Sequence, residues 1–250
     1  MKHLISKARI RANDVRSQLG LGDEPISNIF TLIEDQGIYL FFKNLGENVS
    51  AMFIRSSNAH MVIINSNKTK GHQIFSAAHE LSHFLYDKDL LGGICQVSKT
   101  SQDLEVEKLA DFFASHFLLP EEGLLKHISK RTDSMERSLS LADVIYLQQY
   151  YGVSWQAMIN RLYNINCITA NEFETFKNVS IKREASRLGY DLSLYEKTYD
   201  EKPSQRYVEL AMKNYQKFDI SETRLNEYLN DVGLSLLEME AEVIEEGDYA

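Results

Sequence analysis

Apolar positions along the chain follow two different periods. Up to about residue 36 they recur every three or four positions, which is typical of helices that bury one face. Farther on they form short runs separated by turn residues, which is typical of strands. These patterns predict the following elements: helices over residues 5–21 and 26–36, then strands over residues 37–42, 50–54 and 61–65. The close succession of the three strands favours an antiparallel meander.

Helical spacing returns after the third strand, and from about residue 126 to about residue 235 the pattern is helical throughout. One helix is predicted around residues 74–86, because neither Gly nor Pro interrupts this stretch. Another is predicted over residues 105–120, where Pro120 marks the end because proline cannot easily continue a helix. The segment between them, residues 88–103, contains a Gly-Gly pair and is predicted to be an ordinary connecting loop rather than a lid.

Residues 138–166 have the outline of a helix-turn-helix pair, with a turn at Gly152 and a second helix capped by Ser154. DNA binding would require several basic side chains on that second helix, which offers Arg161 and few others. We therefore expect a structural helix pair that packs on the rest of the chain. The end of the chain is acidic, with six acids and no base between Glu238 and Asp248, and is expected to be solvated.

Charge also argues against nucleic acid as a partner. The 250 residues include 27 Lys and Arg and 36 Asp and Glu, which gives a formal net charge of −9. Charged residues interrupt the N-terminal stretch, so no secretory signal is expected, and no apolar run is long enough to span a bilayer. Cys95 and Cys167 lie far apart and are expected to be free thiols. These features favour a soluble cytoplasmic protein.

The most specific chemical signal is the run His79-Glu80-Leu81-Ser82-His83. Two imidazoles four positions apart lie on one face of a helix and can bind one metal ion. Glu80 then lies beside the metal, where it can accept a proton from a water molecule. This is the arrangement of zinc peptidases, in which two histidines are ligands and a glutamate is the general base.

The helix predicted at residues 105–120 offers a third ligand. A catalytic zinc ion usually has three protein ligands and keeps one position for water. We predict Glu107 as this ligand and Asp111, one turn later, as the carboxylate that accepts a hydrogen bond from a ligating histidine. Glu105 is the alternative ligand, but it points elsewhere if Glu107 and Asp111 face the metal. The alternative for Asp111 is a simple surface charge.

The other histidines fit the site less well. His116 follows Glu107 by nine positions and is expected to point to the opposite side of their helix. His60 precedes the third strand and is kept as a candidate for contact with the substrate or the transition state. Tyr86 and His60 are the two candidates for stabilising the tetrahedral oxyanion that forms during peptide hydrolysis, and the sequence favours neither.

Three stretches of the sequence carry a more specific pattern. They are Ile63-Ile64-Asn65, Phe75-Ser76-Ala77-Ala78-His79-Glu80-Leu81-Ser82-His83-Phe84-Leu85 and Glu107-x-x-Ala110-Asp111-x-Phe113-Ala114-x-x-Phe117-Leu118-Leu119-Pro120. Together they resemble the ImmA/IrrE family of bacterial metallopeptidases, which have a strand ending in Asn and two such helices. The resemblance covers about residues 5–125. It departs at Ser82, Phe117 and Leu119, where Gly, Leu and Met are usual, and none of these positions touches the chemistry.

The strand and helix patterns predict an α+β fold, with an all-helical region over residues 126–250. The resemblance implies that residues 1–125 form a zincin-like zinc metallopeptidase domain. It implies that His79, His83 and Glu107 bind one zinc ion and that Glu80 is catalytic. Manganese or iron also suit these ligand types.

The implied substrate is a partner protein, expected to be a helix-turn-helix transcription repressor whose cleavage relieves repression. An exposed edge of the 50–54 or the 61–65 strand is predicted to pair with an extended peptide of that substrate. The alternative function is a non-catalytic module that binds a repressor or a toxin partner and uses zinc as a structural or sensory element.

Overall fold

The computed structural model of the chain describes residues 1–56, 59–88, 92–94, 101–132 and 138–236. Three predictions concern residues outside these ranges: the acidic tail from Glu238 to Asp248, the free thiol of Cys95, and most of the connector between residues 88 and 103. Cys167 lies inside them and is a free thiol, as predicted.

Most of the predicted elements are present, with ends shifted by a few residues. The strands are β1 Ile38–Lys43, β2 Ala51–Arg55, β3 His60–Asn65 and β4 Gly92–Ile94. The helices are α1 Lys2–Gln18, α2 Ile29–Asp35, α3 Lys70–Tyr86, α4 Ser101–Leu118, α5 Glu121–Thr132, α6 Leu141–Tyr151, α7 Trp155–Asn164, α8 Ala170–Lys177, α9 Ile181–Arg187, α10 Gln205–Gln216 and α11 Glu222–Asp231. Among the described helices, none combines the length and the apolar character needed to cross a bilayer.

The four strands form one mixed sheet in the order β1-β3-β2-β4. β1 runs parallel to β3, with Ile38 opposite His60, whereas β2 runs antiparallel to β3, with Ala51 opposite Ile64. β4 continues the sheet antiparallel to β2. The predicted antiparallel meander is therefore wrong, because β3 inserts between the two strands that precede it in sequence.

The last residue of β3 stabilises this insertion. The buried side-chain amide of Asn65 donates hydrogen bonds to Gly46 O at 2.7 Å and Val49 O at 2.5 Å, and its oxygen accepts one from Leu45 N at 3.1 Å. These three backbone groups belong to the loop that leaves β1 and crosses the end of β3 to reach β2. Backbone groups near the interior need hydrogen-bond partners, and the Asn65 side chain serves as the partner of all three.

The strand order also decides which sheet edges are available. β3 lies inside the sheet, and β4 pairs with β2 from Ile54, opposite Gly92, to Met52, opposite Ile94. The prediction of a peptide-binding edge on the second or third strand is therefore wrong, since both are paired on each side. Residues 92–94, predicted as part of a connecting loop, instead form the outer strand on this side of the sheet.

Residues 196–202 lie along the opposite side of the sheet, and we call this segment the strap. Phe42 N of β1 donates to Lys202 O at 2.8 Å, and Lys202 N donates back to Phe42 O at 3.1 Å. At the other end of the strap, Glu196 O accepts a hydrogen bond of 3.0 Å from Lys70 N, the first residue of α3. The strap therefore covers part of the β1 edge and joins the C-terminal helices to the sheet.

α3 packs on the sheet, and α4 packs against both α1 and α3. A single apolar core extends from Ala8 in α1 to Ala185 in α9 and so continues across residue 125. α10 and α11 form a smaller hairpin with an apolar cluster of their own. This hairpin meets β1 through the ring of Tyr207, whose centroid is 6.0 Å from that of Phe41.

Two buried arginines hold the C-terminal end of α4. Arg16 of α1 donates to Phe117 O at 2.6 Å, and Arg161 of α7 donates to Leu119 O at 2.9 Å. Each arginine is only 3% exposed. The last carbonyls of a helix lack intrahelical donors and carry partial negative charge, so guanidinium groups stabilise them. The position of α4 is thus fixed by one helix before it in the chain and one helix after it.

α6 and α7 have the predicted helix-turn-helix outline. Gly152 ends α6 with a left-handed φ of 64°, and Ser154 caps α7 by accepting a hydrogen bond from Ala157 N. Arg161, the basic residue that a DNA-binding role would use, is buried in the core and engaged with Leu119 O. The burial of Arg161 agrees with the expectation of a structural helix pair.

We expect Asn65→Ala to lower the free energy of unfolding by about 2–4 kcal/mol, because it leaves several backbone groups of the crossing loop without partners. Urea denaturation followed by circular dichroism measures this loss. Asn44→Ala is the matched control, since the side chain of Asn44 is exposed and its one hydrogen bond within the described ranges comes from Gly46 N. A loss for Asn65→Ala no larger than that of the control would contradict the assigned role.

His116 generates a prediction about acid stability. Burial, followed by the positive charges of Arg161 and Arg9, lowers the pKa of its imidazole to about 3. The folded protein therefore keeps this imidazole neutral, while the unfolded chain binds a proton below its ordinary pKa of about 6.5. The folded state therefore loses free energy of unfolding as the pH falls from the ordinary histidine pKa towards 3.

When the pH is lowered from about 7 to about 5, we expect the free energy of unfolding to fall less in His116→Gln than in the parent protein. The reason is that the unfolded variant has no imidazole at this position to bind a proton. Urea midpoints at the two pH values test the difference. His3→Gln, at an exposed position near the N-terminus, should behave as the parent does. Equal pH dependence in the parent and His116→Gln would be inconsistent with a buried neutral imidazole.

Candidate metal centre

α3 carries the two histidines in its C-terminal half. The helix runs from Lys70 to Tyr86 and packs on the sheet, so that His79 and His83 are each only 4% exposed. Their four-residue spacing places both rings on one face of the helix, with centroids 4.8 Å apart. The Nε2 atoms of the two rings are 3.0 Å apart.

Glu107 reaches the same point from α4. Its carboxylate oxygens lie 3.2 Å from His79 Nε2 and 3.4 Å from His83 Nε2. The ligand atoms of these three residues all lie within 4.8 Å of one another, and no other group of three or more His, Cys, Asp or Glu side chains in the described ranges does so. Glu105, the alternative from the sequence, is exposed and lies outside the group.

A carboxylate holds the far side of each imidazole. Asp111 Oδ1 is 2.9 Å from His79 Nδ1, and Asp87 Oδ2 is 2.8 Å from His83 Nδ1. The sequence pointed to Asp111 but not to Asp87, which follows the last residue of α3. The spacing of four positions between His83 and Asp87 was the available signal. The Asp87 side chain is also the less exposed of the two, at 18% against 57%.

The contacts at Nδ1 favour one tautomer for each ring. A neutral imidazole has one N–H, and each Nδ1 faces a carboxylate that accepts it, so each Nε2 presents a lone pair. Two nitrogen lone pairs and a carboxylate therefore converge on one point. Groups that only accept hydrogen bonds repel one another at these distances unless a positive charge lies between them. The donor set thus fits a divalent cation.

Glu80 lies next to this group and is almost fully buried, at 2% exposed. Its Oε1 atom has no hydrogen-bond partner among the described residues, which is unusual for a buried carboxylate. Burial raises the pKa of the Glu80 carboxyl, against the opposing influence of His79 and His83. An unpartnered buried carboxylate beside a cation site can hold and transfer a proton.

The two residues considered for oxyanion stabilisation lie outside the group. The His60 ring packs edge-on against Phe84 with centroids 5.0 Å apart, and burial lowers its pKa. The Tyr86 hydroxyl donates to Arg11 O at 3.2 Å, and the Arg11 guanidinium covers the ring at 4.0 Å. Tyr86 therefore joins α3 to α1, and neither contact points to an oxyanion.

Two histidines four positions apart on a helix, a glutamate from a second helix and a buried glutamate beside them define a candidate metal centre of the hydrolytic type. A comparison with protein-family models gives the family. The peptidase M78 model, described as the IrrE N-terminal-like domain, matches residues 33–163, which is more than half of the chain. The chain belongs to this family, as its resemblance to ImmA/IrrE proteins predicted.

Family membership makes the chain a metallopeptidase of the ImmA/IrrE type, which implies a divalent metal and a protein substrate. The matched region contains α3, α4, α6 and all of α7 except its last residue. The candidate metal centre therefore lies within the family domain. Of the two helices whose arginines hold α4, α7 belongs to that domain and α1 precedes it. A comparison with curated proteins returns no match.

We expect Asp87→Ala to weaken zinc binding by about 10–100-fold, because carboxylates that orient a ligating imidazole commonly have effects of this size. Asp111→Ala should have a smaller effect, since water screens its more exposed carboxylate. Competition with a chromophoric chelator measures the affinities. Asp35→Ala, at an exposed position on α2, is the control. Unchanged affinity in Asp87→Ala would contradict the role of its contact with His83.

Proposed function

We propose that the chain is a zinc-dependent endopeptidase that cleaves a partner protein. In this proposal His79, His83 and Glu107 bind the metal, and Glu80 is the catalytic residue. The observation that supports it most directly is the convergence of the three ligand atoms within 4.8 Å, from two helices that are separate in sequence. Residues 1–125 would then form a zincin-like catalytic part.

Zinc is the proposed metal because imidazole and carboxylate groups are its usual ligands in catalytic sites. Manganese or iron would accept the same ligands, and metal availability in the cell often decides between them. When bound, the cation supplies Lewis-acid chemistry, since it lowers the pKa of a water molecule and polarises a carbonyl group.

Glu80 would act as the general base and then as the general acid. Its buried carboxylate accepts a proton from the attacking water and delivers that proton to the nitrogen of the leaving amine. Oε1 has no partner among the described residues, so no protein hydrogen bond has to break first. Asp111 and Asp87 would keep the two imidazole rings oriented during this cycle.

The proposed substrate is an extended segment of a protein. β4 is the outer strand of the described sheet beyond β2, so its outer edge replaces the two inner strands as the place where such a segment would pair. The family relationship favours a helix-turn-helix transcription repressor, whose cleavage would relieve repression. The burial of Arg161 supports a protein substrate over direct DNA binding by α7.

We expect Glu80→Gln to bind zinc as the parent does and to cleave about 10²–10⁴-fold more slowly, because amide nitrogen cannot serve as a general base. The substrate to test is a helix-turn-helix protein that is found to be encoded beside this chain. Mixing the two proteins with and without zinc, followed by mass spectrometry of the fragments, measures cleavage. Glu105→Gln, an exposed glutamate on α4, is the matched control.

Cleavage by Glu80→Gln at the parental rate would contradict the role of Glu80. Failure of the parent protein to bind zinc would contradict the metal site. Stable binding of the repressor by the zinc-loaded parent, without any cleavage, would favour a non-catalytic binding module over a peptidase.

A further inference from the structure

Arg55, the last residue of β2, reaches from the sheet to the end of the helix that carries both histidines. Its guanidinium donates to Phe84 O at 2.8 Å, to Asp87 O at 3.1 Å and more weakly to His83 O at 3.4 Å. These carbonyls belong to the last turn of α3 and to the residue that follows it. His83 O also accepts a backbone hydrogen bond of 3.0 Å from Asp87 N, so Arg55 adds a second, weaker donor there. At Phe84 O and Asp87 O, the guanidinium supplies donors to carbonyls at and just beyond the end of the helix.

Two of these three carbonyls belong to His83 and Asp87, whose side chains form a hydrogen bond at the candidate metal centre. Asp87 holds Nδ1 of His83 at 2.8 Å, and Arg55 binds the main chain of both residues. Asp87 has left the helix, with φ −112° and ψ 61°, so helical geometry alone does not fix its side chain. The two Nη atoms of one guanidinium bind these carbonyls, Nη1 at Asp87 O and Nη2 at His83 O, so the backbone of both residues is held by the same side chain.

The surroundings of Arg55 hold its guanidinium in place. The ring of Phe53 lies 5.1 Å and the ring of Phe84 lies 6.0 Å from the guanidinium carbon. Its Nε atom is buried and has no hydrogen-bond partner among the described residues. The carbonyls at the end of α3 are thus the polar contacts that orient the group, and lysine would not reproduce a planar fork of this kind.

We infer that Arg55 is a positioning residue of the metal centre, an inference that rests on the proposed metal-binding function. It fixes the end of α3 so that Asp87 keeps the imidazole of His83 turned with Nε2 towards His79 and Glu107. Arg55 touches neither the metal ligand atoms nor Glu80 in any described contact. Its effect passes through Asp87, and it transmits the position of β2 to the metal site.

The test compares Arg55→Met with Arg11→Met in the full chain. Arg11 also packs on the last turn of α3, with its guanidinium 4.0 Å from the Tyr86 ring, but its side chain has no described hydrogen bond to the α3 carbonyls. Zinc affinity is measured by competition with a chelator. The visible absorption spectrum of the Co²⁺-loaded protein reports the geometry of the ligands independently of any cleavage.

We expect Arg55→Met to weaken zinc binding about tenfold and to change the Co²⁺ spectrum, in line with the effect of other groups that orient metal ligands. Arg11→Met should leave both unchanged, whatever it does to thermal stability. A parental affinity and spectrum in Arg55→Met would overturn the inference. If Arg55→Met does not fold, Arg55→Lys decides in the same way, because an ammonium group cannot bridge the carbonyls as a planar guanidinium does.

A double-mutant cycle with Asp87→Ala separates positioning from a general structural effect. If Arg55 acts through Asp87, the double variant Arg55→Met with Asp87→Ala should bind zinc about as weakly as Asp87→Ala alone. Additive losses would overturn the proposed route. Failure of the inference is distinguishable from failure of the proposed function, because in the latter case the parent protein itself would not bind zinc.

Discussion

The convergence of three hydrogen-bond acceptors on one point is the constraint on which the rest of the structure depends. His79, His83 and Glu107 approach within 3.0–3.4 Å of one another, although their lone pairs repel. Holding such groups together requires rigid elements on every side. The sheet supports α3, Arg55 fixes the end of that helix, and Arg16 and Arg161 fix the end of α4. Much of the chain can be understood as the support of these two helices.

The candidate site could be predicted almost completely from the sequence, because helical periodicity is a local property. The spacing of four between His79 and His83 and between Glu107 and Asp111 identifies the face on which each pair lies. The structure brings these four residues together, with Glu107 rather than Glu105 at the centre. Asp87 has the same spacing from His83, but it lies just past the end of α3, where helical periodicity no longer predicts the direction of a side chain.

The sheet could be predicted only as a set of strands. All three strand segments were found, but their order depends on a non-local interaction, the hydrogen bonds of Asn65 with the loop that crosses the end of β3. An apolar run shows that a strand exists and does not show its neighbours. The sequence does not predict β4, because a three-residue strand with two glycines has the composition of a loop. Composition likewise does not predict that Arg161 is buried. Its burial agrees with the prediction that α6 and α7 form a structural helix pair.

The strap and the two buried arginines have a consequence for working with shorter fragments. A fragment cut after residue 125 would keep every ligand atom of the centre but would lose the donor that Arg161 supplies to Leu119 O. It would also uncover Phe42 at the edge of β1, where the strap now pairs. An uncovered strand edge invites pairing between copies, so such a fragment should tend to self-associate. The minimal folded unit around these ligands is therefore larger than the sequence segment that contains them.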